Sequence, residues 1–137
     1  MNKFICIHCG KEVTTTGNIG THQRNHCPFC LYSKHVDEIV GDRKATCMGE
    51  MKPIGLTFKY AKGASGEIML IHLCKNCGKI SINRITADDD IKKIQEVFEK
   101  SLDLGEDFRQ RLDENKIYLL TSNDRQELTI QLFGNNL

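Results

Sequence analysis

Apolar residues follow two different periods along this chain, and the change from one to the other falls near Thr86. Ile54, Leu56, Phe58 and Tyr60 alternate with Gly55, Thr57 and Lys59, the signature of a strand with one covered face. Gly63 to Gly66 reads as a turn, Glu67 to Leu73 as a more apolar second strand, and Lys79 to Ile85 as a third, with Cys74 to Gly78 turning the chain between them. Three antiparallel strands follow. After Thr86, Asp88, Asp89 and Asp90 supply N-cap and first-turn carboxylates, and Ile91, Ile94, Val97, Phe98 and Leu102 recur at helical spacing as far as Gly105. Phe108 to Glu114 reads as a second helical stretch, Lys116 to Thr121 as a short strand, and Asn123-Asp124 as the cap of a last helix through Leu128, Leu132 and Phe133. Leu128, Ile130 and Leu132 would also suit a strand.

Residues 1 to 53 have no such period. Thr14 to Thr21 is a polar, glycine-containing stretch, and Gly41 to Pro53 is a charged loop around Cys47, so something other than apolar packing must order this part. Composition points the same way. A chain of 137 residues with no Trp and 39% hydrophobic content has a modest core. Its seven cysteines all lie between Cys6 and Cys77. No long apolar run precedes the first cysteine and no stretch is long enough to span a bilayer, so a cytoplasmic location with reduced thiols is expected, and no membrane partner.

Three pairs share the Cys-x-x-Cys spacing: Cys6 with Cys9, Cys27 with Cys30, and Cys74 with Cys77. Two intervening residues let a tight turn aim both sulfurs at one tetrahedral ion, and a glycine after the second cysteine, as at Gly10 and Gly78, lets the chain leave with positive φ. The first two pairs, separated by 17 residues, give one four-cysteine zinc site of Cys6, Cys9, Cys27 and Cys30. Cys47, Cys74 and Cys77 supply three ligands of a second. His35 is the choice for its fourth, with His22, His26 and His72 as rivals. Two zinc ions are therefore expected, although the spacing would also suit iron. No βαβ pattern surrounds any pair, which argues against a thioredoxin-like redox motif or disulfides; for Cys47 alone, the competing reading is a small buried hydrophobe.

These elements predict an α+β protein: a zinc-ribbon-like three-stranded antiparallel sheet with cysteine knuckles in residues 1–87, and a small acidic helical extension, 88–137, packed on it. Charge divides at the same place. Residues 1–87 carry 12 Lys and Arg against 6 Asp and Glu, while 88–137 carry 7 against 12. Two dications on seven thiolates would bring the first part near +3.

Arg24-Asn25-His26-Cys27-Pro28 spells the name of the RNHCP domain family, small bacterial proteins of uncharacterised function, and the chain resembles that family from about residue 4 to 90. The likeness includes Cys6 to Gly10, Ser33 to Asp37, Gly41 to Arg43 with Cys47, Met51 to Leu56, Ile71 to Gly78, and Asn83 to Ile85 with Asp88 to Asp90. The resemblance implies a metal-binding cysteine core and nothing definite about activity.

Three functions compete. A zinc-stabilised binding module for RNA, the ribosome or DNA would use Arg24, Lys34, Arg43, Lys44, Lys52 and Arg84 on phosphates, with Phe29, Tyr32, Phe58 and Tyr60 available for bases. The plain competitor is that these charges only solvate a small domain and the rings pack its core. A metal-dependent nuclease would use the His22 to His26 segment, but these residues cluster ahead of Cys27 rather than spreading over a hairpin and helix. Nor does His26-Cys27-Pro28 match the deaminase signature. Four-ligand sites leave no water to activate, so a non-enzymatic role is favoured. The third reading, a protein-protein scaffold, would present Phe98 and Leu102 to a partner, against the simpler alternative that they dock within the chain.

Overall fold

The computed structural model of the chain describes residues 3–14, 26–34, 47, 49–59, 67–85 and 89–133. In chain order these form β1 (Lys3–Ile5), β2 (Glu12–Thr14), β3 (Ser33–Lys34), β4 (Glu50–Lys59), β5 (Glu67–Cys74), β6 (Ile80–Arg84), α1 (Ile91–Ser101), α2 (Glu106–Glu114), a single 3-10 turn (Ser122–Asp124) and α3 (Arg125–Phe133). The class is mixed α+β, as expected, but the sheet is larger than three strands. β3-β4-β5-β6 form one antiparallel sheet in that order, and β1-β2 form a separate hairpin. The additional strands have two or three residues each, too few for any hydrophobic period to announce them. β4 also starts at Glu50 rather than Ile54, because its first residues pair with β3 and with the end of β5.

Both faces of the sheet are covered. On one, Leu56, Ile68 and Leu70 pack with Ile94 and Phe98 of α1, Leu120, Leu128 of α3 and Leu31. On the other, Ile71 packs with Leu112 of α2 and Leu119, flanked by Ile54, Ile80 and Ile82. The one-sided alternation expected for β4 therefore gives way to Gly55, Leu56 and Thr57 all buried. Gly55 has a steric reason: a Cβ there would lie 2.5 Å from Leu119 Cδ1. The segment leading to Leu120 is not the strand the sequence suggested. It carries the Leu120 amide to the Leu56 carbonyl at 2.9 Å, and no ladder is formed. The turn after it is capped by Thr121, whose amide is bonded by Asp124 Oδ2 at 2.8 Å, rather than by Asn123. The alternative strand for Leu128 to Leu132 is helix α3.

Candidate metal centres and the groups that hold them

The three Cys-x-x-Cys segments share one backbone construction. In each, the amide of the first cysteine donates to the carbonyl five residues on: Cys6 to Lys11 at 2.9 Å, Cys27 to Tyr32 at 2.9 Å, Cys74 to Lys79 at 2.8 Å. The amide four residues after the first cysteine donates back to it, from Gly10, Leu31 and Gly78 at 3.0, 2.8 and 2.9 Å. That residue is left-handed every time, with φ of 78°, 67° and 81°. An antiparallel pair closes the base of each knuckle: β1 with β2, His26 with Ser33, and β5 with β6. Amides inside the turns point at sulfur, from His8 and Cys9 to Cys6 Sγ at 3.4 and 3.5 Å and from Phe29 to Cys27 Sγ at 3.4 Å.

The thiols of these knuckles, with Cys47, fall into two groups. Cys6, Cys9, Cys27 and Cys30 form one group and Cys47, Cys74 and Cys77 another, each with its sulfurs within 4.8 Å of one another. Cys6 and Cys30 are separated by 3.6 Å, Cys9 and Cys27 by 3.7 Å, and Cys47 and Cys74 by 3.6 Å. A disulfide would need about 2.05 Å, and all seven thiols are free. Four sulfurs about 2.3 Å from a central tetrahedral ion lie about 3.8 Å apart, so the donor set fits a single metal ion at each place.

Electrostatics favours the same occupant. Burial, with Cys6 and Cys27 alongside, pushes the Cys30 thiol well up against the lowering Tyr32 amide, and burial likewise raises Cys27. Burial also raises Cys9, but the Lys11 backbone and bonds with the other three cysteines outweigh it and leave that thiol lowered. At Cys47 the Gly49 backbone lowers the thiol, yet burial together with Cys74 and Cys77 leaves it raised. Crowded thiols cannot all ionise in each other's presence; a dication supplies the positive charge that lets them.

Of the histidines, His22 and His35 lie outside the described residues, and the other two candidates have different work. His26 Nε2 donates to Asp89 Oδ2 at 2.7 Å, with both side chains buried. His72, fully buried, donates from Nε2 to the Leu31 carbonyl at 2.7 Å and accepts at Nδ1 from Asn83 Nδ2 at 2.9 Å. Among the described residues neither joins the three-cysteine group. Burial, then His26 close by, pushes His72 down to about 4, which keeps the ring neutral.

Two features escaped the sequence reading. Asp89 holds His26 while the Asp90 amide donates to the Pro28 carbonyl at 2.8 Å, so the start of the helical region grips the knuckle of Cys27 and Cys30 from both sides. His8, between Cys6 and Cys9, stacks on Tyr32 with ring centroids 3.5 Å apart and meets Glu50 Oε1 through Nδ1 at 3.2 Å. The Glu50 carbonyl in turn accepts from the Lys75 amide at 2.8 Å, tying the first knuckle to the third. Only the presence of a histidine within a knuckle hinted at this.

Of the candidate phosphate contacts, Arg24, Arg43 and Lys44 lie outside the described residues. Lys34 and Lys52 are exposed on neighbouring strands; Arg84 is exposed too but bonded to Glu67 Oε1 at 2.7 Å. Phe29 is exposed beneath Lys11 Nζ, 4.6 Å from its ring centre, whereas Phe58 packs against the core. Tyr60 is outside the described residues.

The sequence model for the RNHCP domain matches residues 1–95. The chain belongs to the RNHCP domain family. The matched span includes every cysteine and reaches through Asp89 and Asp90 into α1, so the grip on His26 and Pro28 falls within the RNHCP domain. No curated protein and no solved structure matches the chain. Among the described residues no helix is long and apolar enough to cross a membrane.

Proposed function

We propose that this RNHCP protein is a zinc-stabilised binding module whose partner is nucleic acid. The observation that carries the reading is the juxtaposition of three closed cysteine knuckles with exposed cations and rings: Lys11 over Phe29, and Lys34 and Lys52 on the adjoining strands. Fixed loops bearing lysines beside aromatic faces suit phosphates and unpaired bases. Zinc is the assigned metal because structural zinc takes four thiolate or imidazole ligands in a closed tetrahedron. Cys6, Cys9, Cys27 and Cys30 hold one ion; Cys47, Cys74 and Cys77 hold the other with His35.

His35 is assigned from the sequence, where it stands five residues past Cys30 and directly after β3. Native mass spectrometry tests it: wild type carries two zinc ions and His35→Ala weakens one selectively, whereas equal occupancy overturns the assignment. A nuclease centred on His22 to His26 is disfavoured because His26 is 2% exposed and already bonded to Asp89, out of reach of a cation and its water.

The nucleic-acid reading is tested by titrating RNA and DNA oligomers across a salt series. Binding tighter than millimolar at low salt, falling linearly on logarithmic axes as salt rises, is the expected result. Affinity at or above millimolar, or no dependence on salt, contradicts it.

A further inference from the structure

A cleft of about 270 Å³ opens between β4 and α1 beside the second knuckle, its rim reached by Cys30. Lys52 stands on the β4 side; Lys93 and Lys100 stand on the α1 side with Glu96. Three ammonium groups against one carboxylate make this an anion-seeking cleft although the helical region as a whole is acidic. Lys93 and Glu96 form an exposed pair at 3.3 Å, the kind of contact a phosphate displaces easily. Among the described residues neither Lys52 nor Lys100 has an ion-pair partner.

The walls between these cations are apolar and include an aromatic ring. Tyr32, Pro53 and Val97 contribute, and Tyr32 is held by its stack on His8. Lys93 and Lys100 are two turns apart on the helix, about 10 Å along its axis. Flexible ammoniums at that separation can reach the phosphates on either side of one nucleotide. The volume of about 270 Å³ falls just below the usual range for ligand sites, which runs upward from about 300 Å³, and suits one base rather than a larger ligand.

We propose that this cleft seats a single nucleotide of a single-stranded nucleic acid, its base against Tyr32, Pro53 and Val97 and its flanking phosphates on Lys52, Lys93 and Lys100. The inference rests on the nucleic-acid reading above and gives it a location. A protein partner would have to bring an acidic, flat group to the same place; repeated phosphates flanking a planar base match the alternation of charge and apolar wall directly.

The test is fluorescence anisotropy of the zinc-loaded full chain with labelled uridine and adenosine 12-mers over a salt series. Wild type is compared with the Lys52→Ala/Lys100→Ala double variant, with Tyr32→Leu, and with Lys59→Ala as the control, at the far end of β4 outside the cleft. Zinc content and melting midpoint are checked to match for each variant. The double variant is expected to bind about tenfold more weakly, with a salt slope shallower by about 1.4 for two lost single-strand phosphate contacts. Tyr32→Leu is expected to lose fivefold or more through stacking, with the slope unchanged. If wild type binds both oligomers and the double variant matches it, the cleft is overturned while the nucleic-acid reading stands. If wild type binds neither, both fall. Competition by uridine monophosphate as strong as that by the 12-mer overturns the single-strand occupant.

Discussion

Each knuckle ends in a left-handed residue, and the three positions show two ways of holding one. Gly10 and Gly78 adopt positive φ without a Cβ to clash; Leu31 adopts it as an L-residue buried in the core. A methyl group at Gly10 would touch nothing within 4 Å, so Gly10→Ala isolates the backbone cost. The expected loss is about 1–2 kcal/mol in a denaturant melt of the metal-loaded protein. The two glycines were legible in the sequence because they follow a cysteine pair directly. Leu31 was not, because its carbonyl is held by His72 from 41 residues away.

The His72 contacts also fix a protonation state. Leu31 can only accept and Asn83 Nδ2 only donates, so the ring is neutral with its proton on Nε2. Its folded value of about 4 lies below the ordinary 6.5, so folding favours the neutral form. That contribution is on the order of 3 kcal/mol, fully present above pH 6.5 and lost as pH falls from there through 4. Nitrogen-detected NMR should show the Nε2–H tautomer of His72 at pH 7 and no protonation down to pH 5.5. A titration near 6.5 in the folded protein would contradict the buried arrangement.

Among the elements, those with a long hydrophobic period were readable and those fixed by a distant partner were not. Ile94 and Phe98 gave α1, alternation gave the centres of β4 and β6, and a continuous apolar run gave β5. The β1-β2 hairpin and β3 are consequences of the knuckles, whose cysteine spacing was visible while the short pairs beneath them carried no pattern. The Leu119 segment resembled a strand by composition but serves as a plug over Gly55. Gly55→Ala tests that close approach. With Cβ 2.5 Å from Leu119 Cδ1, overpacking should cost about 1–3 kcal/mol in the same melt, and Leu119→Ala should reduce the penalty in the double variant.

Across the whole molecule, two kinds of cohesion act together. The helices and sheet bury aliphatic side chains on both faces of β4 and β5. The region around Cys6, Val13 and Cys27 has only a small apolar cluster of its own, to which Phe4 and Cys30 add. Such a cluster is too slight to order two knuckles whose crowded thiols repel one another on ionising. In the zinc reading, metal coordination supplies the missing free energy, on the order of 10–16 kcal/mol per ion as seen in small zinc-finger peptides. The four-cysteine group was legible because its thiols come in pairs; a lone histidine has no spacing that would assign it to the three-cysteine group.

The most direct test of this dependence is a melt of freshly reduced protein, with metal counted by native mass spectrometry before and after a strong chelator. Two zinc ions are expected initially, and their removal should abolish the cooperative transition of the cysteine region. A metal-free preparation that melts cooperatively, at a midpoint the chelator leaves unchanged, would contradict the account.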